Sequence, residues 1–395
     1  MAKRKKKFSK ALTIFLCITT LIAGCALGVI GSAAYHAATF HSDVVPKSLV
    51  QGEMQIHFLE LGNKYTGDCT YIKIGEVDIL IDAGSRTSSI SAIADYIDDY
   101  IGEDNKLEYV IVTHAHQDHY AGFTQLDGSL FDLFEVGTII DFALTNQEDK
   151  GSSNMYGRYL DERADEVAAG AIHLTAAECV EKQKTEGAFD LGMGVTMTVL
   201  DSYYYYEENI LVFDDNGDPV IDEETGEQKR KDVSENDYSV CTLFTYGDYN
   251  YLFTGDLEED GEEKLVEMNT LPEVDLYKAG HHGSKTSSSA ALLEAIKPDM
   301  VCVCCCAGSD EYTKTNENQF PTQAFIDRVA PYTDKIYVTT LCTDNEKGTF
   351  QSMNGNIVVL TDKNGLTVVC GSGDSRILKE WEWFKQNRTC PAEWQ

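Results

Sequence analysis

The sequence predicts an α/β (α+β) body, with strands lining the sheets of a sandwich, preceded by one N-terminal apolar helix. Three observations predict it. Short strand-forming runs end in Gly turns from residue 54 onward, as in Tyr71–Ile74 and Val77–Ile81. Apolar residues at helical spacing lie between such runs, as at Ile90, Ile93, Ile97 and Ile101. Before all of these, Lys3–Lys7 leads into Ala11–Ala34, 24 residues without a charge. That run is long enough to cross a bilayer.

The basic cluster places the N-terminus in the cytoplasm and the body outside. Residues 1–35 form this transmembrane or signal segment, residues 36–53 a linker, residues 54–375 the main domain and residues 376–395 a C-terminal helix and tail. Three fates fit the first segment. Apolar character running to Ala34 suits an uncleaved anchor. Ile22-Ala23-Gly24-Cys25 resembles a bacterial lipobox, which would make Cys25 the lipid-bearing terminus of a lipoprotein. Ser32-Ala33-Ala34 fits an ordinary cleavage site and secretion.

Net charge is −33 and uneven. Residues 1–35 hold six basic residues and no acid, leaving 26 basic against 65 acidic residues beyond them, a balance of −39. Such a body repels polyanions, which disfavours nucleic acid as a partner. Cys302, Cys304, Cys305 and Cys306 lie in Val301–Ala307, which reads as a buried strand where they serve as small hydrophobes.

Gln55–Leu61 opens the body as a strand. Gly67-Asp68-Cys69-Thr70 then leads into Tyr71–Ile74, and Val77–Ile81 ends in Asp82-Ala83-Gly84, an antiparallel meander. His57 has no ligand-type neighbour and reads as structural. Asp68 and Asp82 stand at strand ends, where carboxylates orient metal-bound histidines. Ile90–Ile101 is an amphipathic helix, and Leu107–Val112 a buried strand. It delivers His114, His116, Asp118 and His119 within six residues. Neutral imidazoles and a carboxylate in one strand-end loop are the donors that suit zinc or a similar divalent ion. Gly122 permits the turn that returns the chain. Val136–Phe142 is the next strand and Met155–Ala169 a helix, and His173 reads as structural.

Residues 201–237 interrupt the pattern with Tyr203–Tyr206, two acidic clusters and the hairpin pair Asn216-Gly217. This insertion is either a solvated hairpin or a lid whose tyrosines bind substrate by cation–π contact. Asn236-Asp237-Tyr238-Ser239 precedes the strand Val240–Phe244, and Tyr249–Asp256 is a strand running out into Gly255-Asp256. The helix Leu257–Met268 follows. Val274–Ala279 then reaches Gly280-His281-His282-Gly283-Ser284-Lys285-Thr286-Ser287, and the helix Ser287–Ile296 offers its N-terminus to an anion. Ile336–Thr340, Gly348–Ser352, Asn356–Leu360 and Leu366–Cys370 close the sheets, and Arg376–Phe384 is a short aromatic helix.

The H-x-H-x-D-H string after an apolar strand resembles the signature of the metallo-β-lactamase superfamily of metal-dependent hydrolases. Over residues 54–371 the meander and the G-H-H-G-S-K-T-S string are similar to the hydrolase domain of ComEC-type DNA-uptake proteins. The N-D-Y-S turn is shared with phosphorylcholine esterases, a more distant likeness. The resemblance implies an αββα sandwich with two zinc ions, or manganese. His114 and His116 would hold one ion, Asp118, His119 and His281 or His282 the other, and Asp256 would bridge. Asp118 would also orient the nucleophile, the remaining histidine would assist the leaving oxygen, and Ser284, Lys285 and Thr286 would bind a phosphoryl group. Two departures accompany the likeness. The third histidine of the first ion is missing near Asn236–Ser239, and Asn318-Gln319-Phe320-Pro321-Thr322 lacks the histidine of the usual N-x-Y-G-H-P string. The implied activity is hydrolysis of a phosphoester by water activated on the metal, at the outer face of the membrane. A phosphorylcholine-esterase-like action on cell-wall polymer and an inactive metal-binding surface protein are the alternatives.

Overall fold

The computed structural model describes residues 45, 49–50, 52–126, 128–223, 225–362 and 365–395. The segment Ala11–Ala34, Cys25 and most of the linker lie outside them. Among the described residues no helix is long and apolar enough to cross a membrane.

Residues Asp43–Gln395 cluster as one unit. In its first half β1 (Met54–Phe58), β2 (Thr70–Ile74), β3 (Val77–Ile81), β4 (Lys106–Val112), β5 (Glu135–Asp141), β6 (Ile172–Thr175), β7 (Phe189–Asp190) and β8 (Val195–Val199) follow in turn. The second half supplies β9 (Thr242–Tyr246), β10 (Tyr249–Phe253), β11 (Leu276–Lys278), β12 (Val301–Ala307), β13 (Ile336–Asp344), β14 (Thr349–Ser352), β15 (Ile357–Asp362) and β16 (Gly365–Cys370). They form two eight-stranded sheets, ordered β16-β15-β1-β2-β3-β4-β5-β6 and β14-β13-β12-β11-β10-β9-β8-β7. The antiparallel meander β1–β2–β3 gives way to parallel pairing from β3 through β6. The second sheet is likewise parallel from β10 through β13. Parallel neighbours discharge their chains at the same edge, so the loops after β3, β4, β10, β11 and β12 gather there. Ligand sites of α/β sheets form outside such carboxyl ends.

The inner faces of the sheets pack on each other. Phe58 stacks on Phe253 with centroids 6.1 Å apart, and Tyr251 donates its hydroxyl to Thr361 Oγ1 at 2.6 Å. Helices cover the outer faces. Ile90, Ile93 and Ile97 of the helix Ile90–Ile97 are buried on the first sheet, each worth about 1.5–3 kcal/mol of removed apolar surface. Helices Glu259–Met268, Ala290–Ile296 and Gln323–Val329 cover the second. β12 shows the sorting: Cys302 and Cys304 join the core between the sheets, while Val301, Val303, Cys305 and Ala307 join the core under the helices. Its cysteines are small hydrophobes, and burial pushes the Cys305 thiol up to about 12.

Several elements differ from the sequence expectation. The helix from Ile90 stops at Ile97 rather than Ile101, because Asp98, Asp99 and Gly102 are poor helix formers. The helix expected from Ser287 begins at Ala290. Ser288 sits at φ 57, and Ser289 caps the helix by accepting from the Leu292 N–H. Lys285 therefore lies in a loop and not at a helix N-terminus. A helix at Ala176–Glu186 was not anticipated, although Thr175 and Glu178 spell its capping box. The aromatic tail is helical at Glu382–Asn387 instead of Arg376–Phe384. It packs onto the second sheet through Leu378, Trp381, Phe384 and Trp394.

The insertion is an exposed three-segment meander joined at Leu211–Arg230, Phe213–Pro219 and Ile221–Gln228. Its tyrosines are engaged in packing and hydrogen bonds. Tyr204 and Tyr205 are buried and their hydroxyls bond outside the insertion, to Asp260 and, at 3.1 Å, to Ser239 O, while those of Tyr203 and Tyr206 donate within it to Asn209 O and Asp201. His57 is neutral and structural, its Nδ1 2.8 Å from Tyr96 OH, with burial lowering its pKa to about 3. His173 is bound to Asp141 at 2.8 Å and is also structural.

Candidate metal centre

The loop after β4 is folded by backbone contacts before any side-chain chemistry begins. The Ala83 N–H donates to His119 O, and the Gly122 N–H donates to Ala83 O at 3.1 Å. A Cβ at Gly122 would lie 2.6 Å from that carbonyl, so close approach, and not a special dihedral, requires glycine there. Gly255 adopts φ +55, and a Cβ there would meet Ser239 and Thr113. Its freedom sets Asp256 at the end of β10.

Four buried groups converge: Asp68, His119, Asp256 and His282 each offer a ligand-type atom within 4.8 Å of the others. His119 Nε2 and His282 Nε2 both lie 3.1 Å from Asp256 Oδ2, and His282 Nε2 is 3.4 Å from Asp118 Oδ2. Both rings are oriented from behind. Asp82 Oδ2 is 2.7 Å from His119 Nδ1, and is itself fixed by the N–H and hydroxyl of Thr113, each at 2.8 Å. Asp68 Oδ1 and Cys304 O are 3.1 and 2.9 Å from His282 Nδ1. Asp68 thus stands on the Nδ1 side of the ring, as a carboxylate that orients a ligand does.

His114 and His116 form a neighbouring pair, with His114 Nε2 3.0 Å from His116 Nδ1. Hydroxyls attend His114 in place of carboxylates, Thr113 Oγ1 at 3.2 Å and Ser239 Oγ at 3.4 Å from its Nδ1. His281 is half-buried at the rim. Its Nε2 is 3.9 Å from Asp256 Oδ2, and its Nδ1 faces Thr286 Oγ1 at 3.2 Å and Glu258 Oε1 at 3.4 Å. His281 and His282 both take left-handed backbone, φ 44 and 54, a strain typical of functional loops. Their loop is braced from outside the site. Buried Glu262 accepts the N–H groups of Ser288 and Ser289 at 2.7 and 2.5 Å. Arg328 donates to the carbonyls of Ser288, Ser287 and Lys285. Lys285 Nζ donates to Asn318 Oδ1 at 3.2 Å, and Ser284 Oγ is 3.0 Å from Thr286 Oγ1.

Lys278 escaped the sequence reading. Buried near the end of β11, it pairs with Asp68, lies 3.6 Å from Asp256 Oδ1 and donates to Gly255 O at 3.1 Å. A lone lysine in a buried strand two residues before Gly280 was the available signal.

The electrostatics follow from carboxylates crowded in a dry site. Burial alone would lower the pKa of His119, but Asp256 and Asp82 outweigh it and hold it well above the usual range. Asp256 and Asp68 do the same for His282. Burial drives His114 well down, with His119 adding to the effect. Burial would raise Asp118 and Asp256, yet the facing histidines hold both below the ordinary carboxylate range.

These residues fit a divalent ion. His119 Nε2, His282 Nε2 and Asp256 Oδ1 are buried without a hydrogen-bond partner, a costly state that a cation accepting their lone pairs relieves. Two imidazoles and carboxylates are the donor set that zinc, manganese or iron takes.

The metallo-β-lactamase superfamily model matches residues 62–306. Recombination protein 2 of Haemophilus influenzae is 30% identical over 108 residues, 27% of this chain and 13% of that protein. Competence protein ComA of Neisseria gonorrhoeae is 34% identical over 116 residues, 29% of this chain and 16% of that protein. The chain thus matches only a small part of these relatives' length. Among solved structures, YhfI of Bacillus subtilis, a metallo-β-lactamase fold protein, has 13% identity and a TM-score of 0.37, covering 77% of this chain and 100% of that one. Human tRNase Z, short form, has 14% identity and a TM-score of 0.32, covering 72% of this chain and 91% of that one. With the family match spanning more than half its length, the chain belongs to the metallo-β-lactamase superfamily of metal-dependent hydrolases.

Proposed function

We propose that this protein is a phosphoesterase acting outside the membrane, anchored there by Ala11–Ala34. One observation carries the chemistry: His119 Nε2 and His282 Nε2 meet Asp256 Oδ2 without hydrogen-bond partners, beside a loop bearing Ser284, Lys285 and Thr286. Asp118, His119, Asp256 and His282 would hold one ion, and His114 and His116 a second, with zinc or manganese as the metal and Asp256 shared. When bound, such ions supply the Lewis acidity that deprotonates water near neutral pH and offsets charge on a phosphoryl group.

The chain's own residues supply the rest. Asp82 and Asp68 fix the imidazole planes from the Nδ1 side, so the Nε2 lone pairs stay aimed at one point. Asp118 stands at the open side of the cluster, where its carboxylate orients the attacking water. His281, hydrogen-bonding near Thr286 and Glu258, faces the side where a leaving oxygen departs. Lys285 offers a point charge to a phosphoryl oxygen. The competence relatives suggest nucleic acid, but the −39 body opposes a long polyanion. That charge favours a small or zwitterionic phosphoester, such as a choline-phosphate unit of a cell-wall polymer.

The test is hydrolysis of bis-p-nitrophenyl phosphate by the full chain loaded with zinc or manganese, beside His116→Ala. Metal-dependent turnover lost in the variant is expected. Bound metal with no turnover of this ester, nor of a choline-phosphate polymer, would sink the phosphoesterase reading.

A further inference from the structure

The segment 308–320, between β12 and the helix Gln323–Val329, crosses from the second sheet to loops of the first. At its root Asn345 Nδ2 donates to Gly308 O at 2.8 Å, and the Asp310 N–H donates to Asn345 Oδ1 at 2.9 Å. At its crest Glu311 accepts the Thr66 N–H at 2.8 Å and Arg86 Nη2 at 2.9 Å. These bonds hold the next residue over the metal centre. Tyr312 is 55% exposed, yet its hydroxyl donates to Asp118 Oδ2 at 2.5 Å. Its ring leans on Phe320, centroids 5.5 Å apart, and Phe320 in turn lies 5.7 Å from His281 and 5.9 Å from His282. An exposed tyrosine whose hydroxyl turns inward to a site carboxylate is not serving the core.

We propose that Tyr312 is a substrate-binding residue: when a phosphoester enters, its hydroxyl moves from Asp118 Oδ2 to a non-bridging phosphoryl oxygen. This rests on the phosphoesterase reading. A phosphoryl group entering here meets the carboxylates of Asp118, Asp256 and Glu258, so it needs donors. Ser284 and Lys285 offer them from the loop after β11, and Tyr312 offers one from the segment that packs beside it. Moving the hydrogen bond also frees Asp118 Oδ2 at the moment the nucleophile must be oriented.

The experiment compares Tyr312→Phe and Glu311→Gln with the wild-type full chain, all loaded with manganese. It reads metal per chain, kinetics on bis-p-nitrophenyl phosphate, and calorimetric binding of inorganic phosphate. A neutral donor to a charged oxygen is worth roughly a tenfold to hundredfold effect. Tyr312→Phe should weaken phosphate binding and lower kcat/KM by about tenfold or more, chiefly through KM, with metal content unchanged. Glu311→Gln, which loosens the segment, should move both the same way by less. Unchanged phosphate affinity in Tyr312→Phe would overturn the proposal. So would loss of metal from that variant, which would make Tyr312 only a support for Asp118. Wild-type protein that binds metal but turns over no phosphoester fails the phosphoesterase reading instead, whatever Tyr312→Phe does to phosphate binding.

Discussion

The two loops that meet at the centre are secured in different ways. The loop after β4 is tied to the site's own charges, since Asp82 binds both His119 Nδ1 and the Thr113 backbone. The loop after β11 is held from behind, by Glu262 and Arg328 gripping the backbone of residues 285–289. The first loop thus carries a carboxylate beside the centre among its ties, whereas the backbone that follows His281 and His282 is gripped by groups outside it. Both loops have main-chain ties, but the first adds a site carboxylate, Asp82, whereas the second adds Glu262 and Arg328 from outside the site.

Removing an inner imidazole breaks this arrangement most severely. His119→Ala and His282→Ala should each lose bound metal, measured by elemental analysis, and all turnover with it, because each supplies an Nε2 no neighbour can replace. Asp82→Asn comes next. It leaves the imidazole but weakens its orientation, so metal affinity should fall about tenfold to a hundredfold in a chelator competition. An unchanged affinity would mean that the Asp82 tie does not serve the centre.

The brace gives a pH signature. Burial raises the Glu262 pKa to about 7, above the ordinary value near 4.3. The folded chain then keeps a proton that the unfolded chain releases. This contribution is fully present at low pH and is lost as pH rises through about 4.3 to 7. Its size is on the order of 3 kcal/mol. Urea unfolding should show wild type losing stability relative to Glu262→Gln between pH 5 and 7.5, in about that amount. Parallel pH profiles would remove Glu262 from the account. The smallest effect is expected at Ser239→Ala. Its hydroxyl attends His114 at 3.4 Å, and its loss should cost less than Asp82→Asn does in the same competition.

Much of this was legible in the sequence because the signals were local. The H-x-H-x-D-H loop, the Asp256 strand end and the G-H-H-G string each sit at the end of an apolar run, and parallel pairing carries those ends to one edge. Asp82 was readable for the same reason. What the sequence hid depends on contacts across the fold. Lys278 reads as an ordinary strand residue until the sheets bring Asp68 and Asp256 to it. His281 and His282 are chemically equal as text, and it is the burial of His282 and the contacts of its Nδ1 with Asp68 and Cys304 O that separate their roles. Tyr312 lies 194 positions from Asp118, with no periodic pattern linking them. For the insertion the sequence left a solvated hairpin and a tyrosine lid open, and the burial of Tyr204 and Tyr205 is a contact across the fold that no local pattern shows.

The cysteines of β12 carry a consequence for handling the protein. Cys302 and Cys304 are sealed between the sheets and Cys305 under the helices, with each thiol held in its protonated, unreactive form by burial. Their modification by an alkylating reagent requires the sandwich to come apart at that strand. The strand is thus a built-in recorder of breathing: the rate at which it takes up label, with and without metal, reports how often the two layers part.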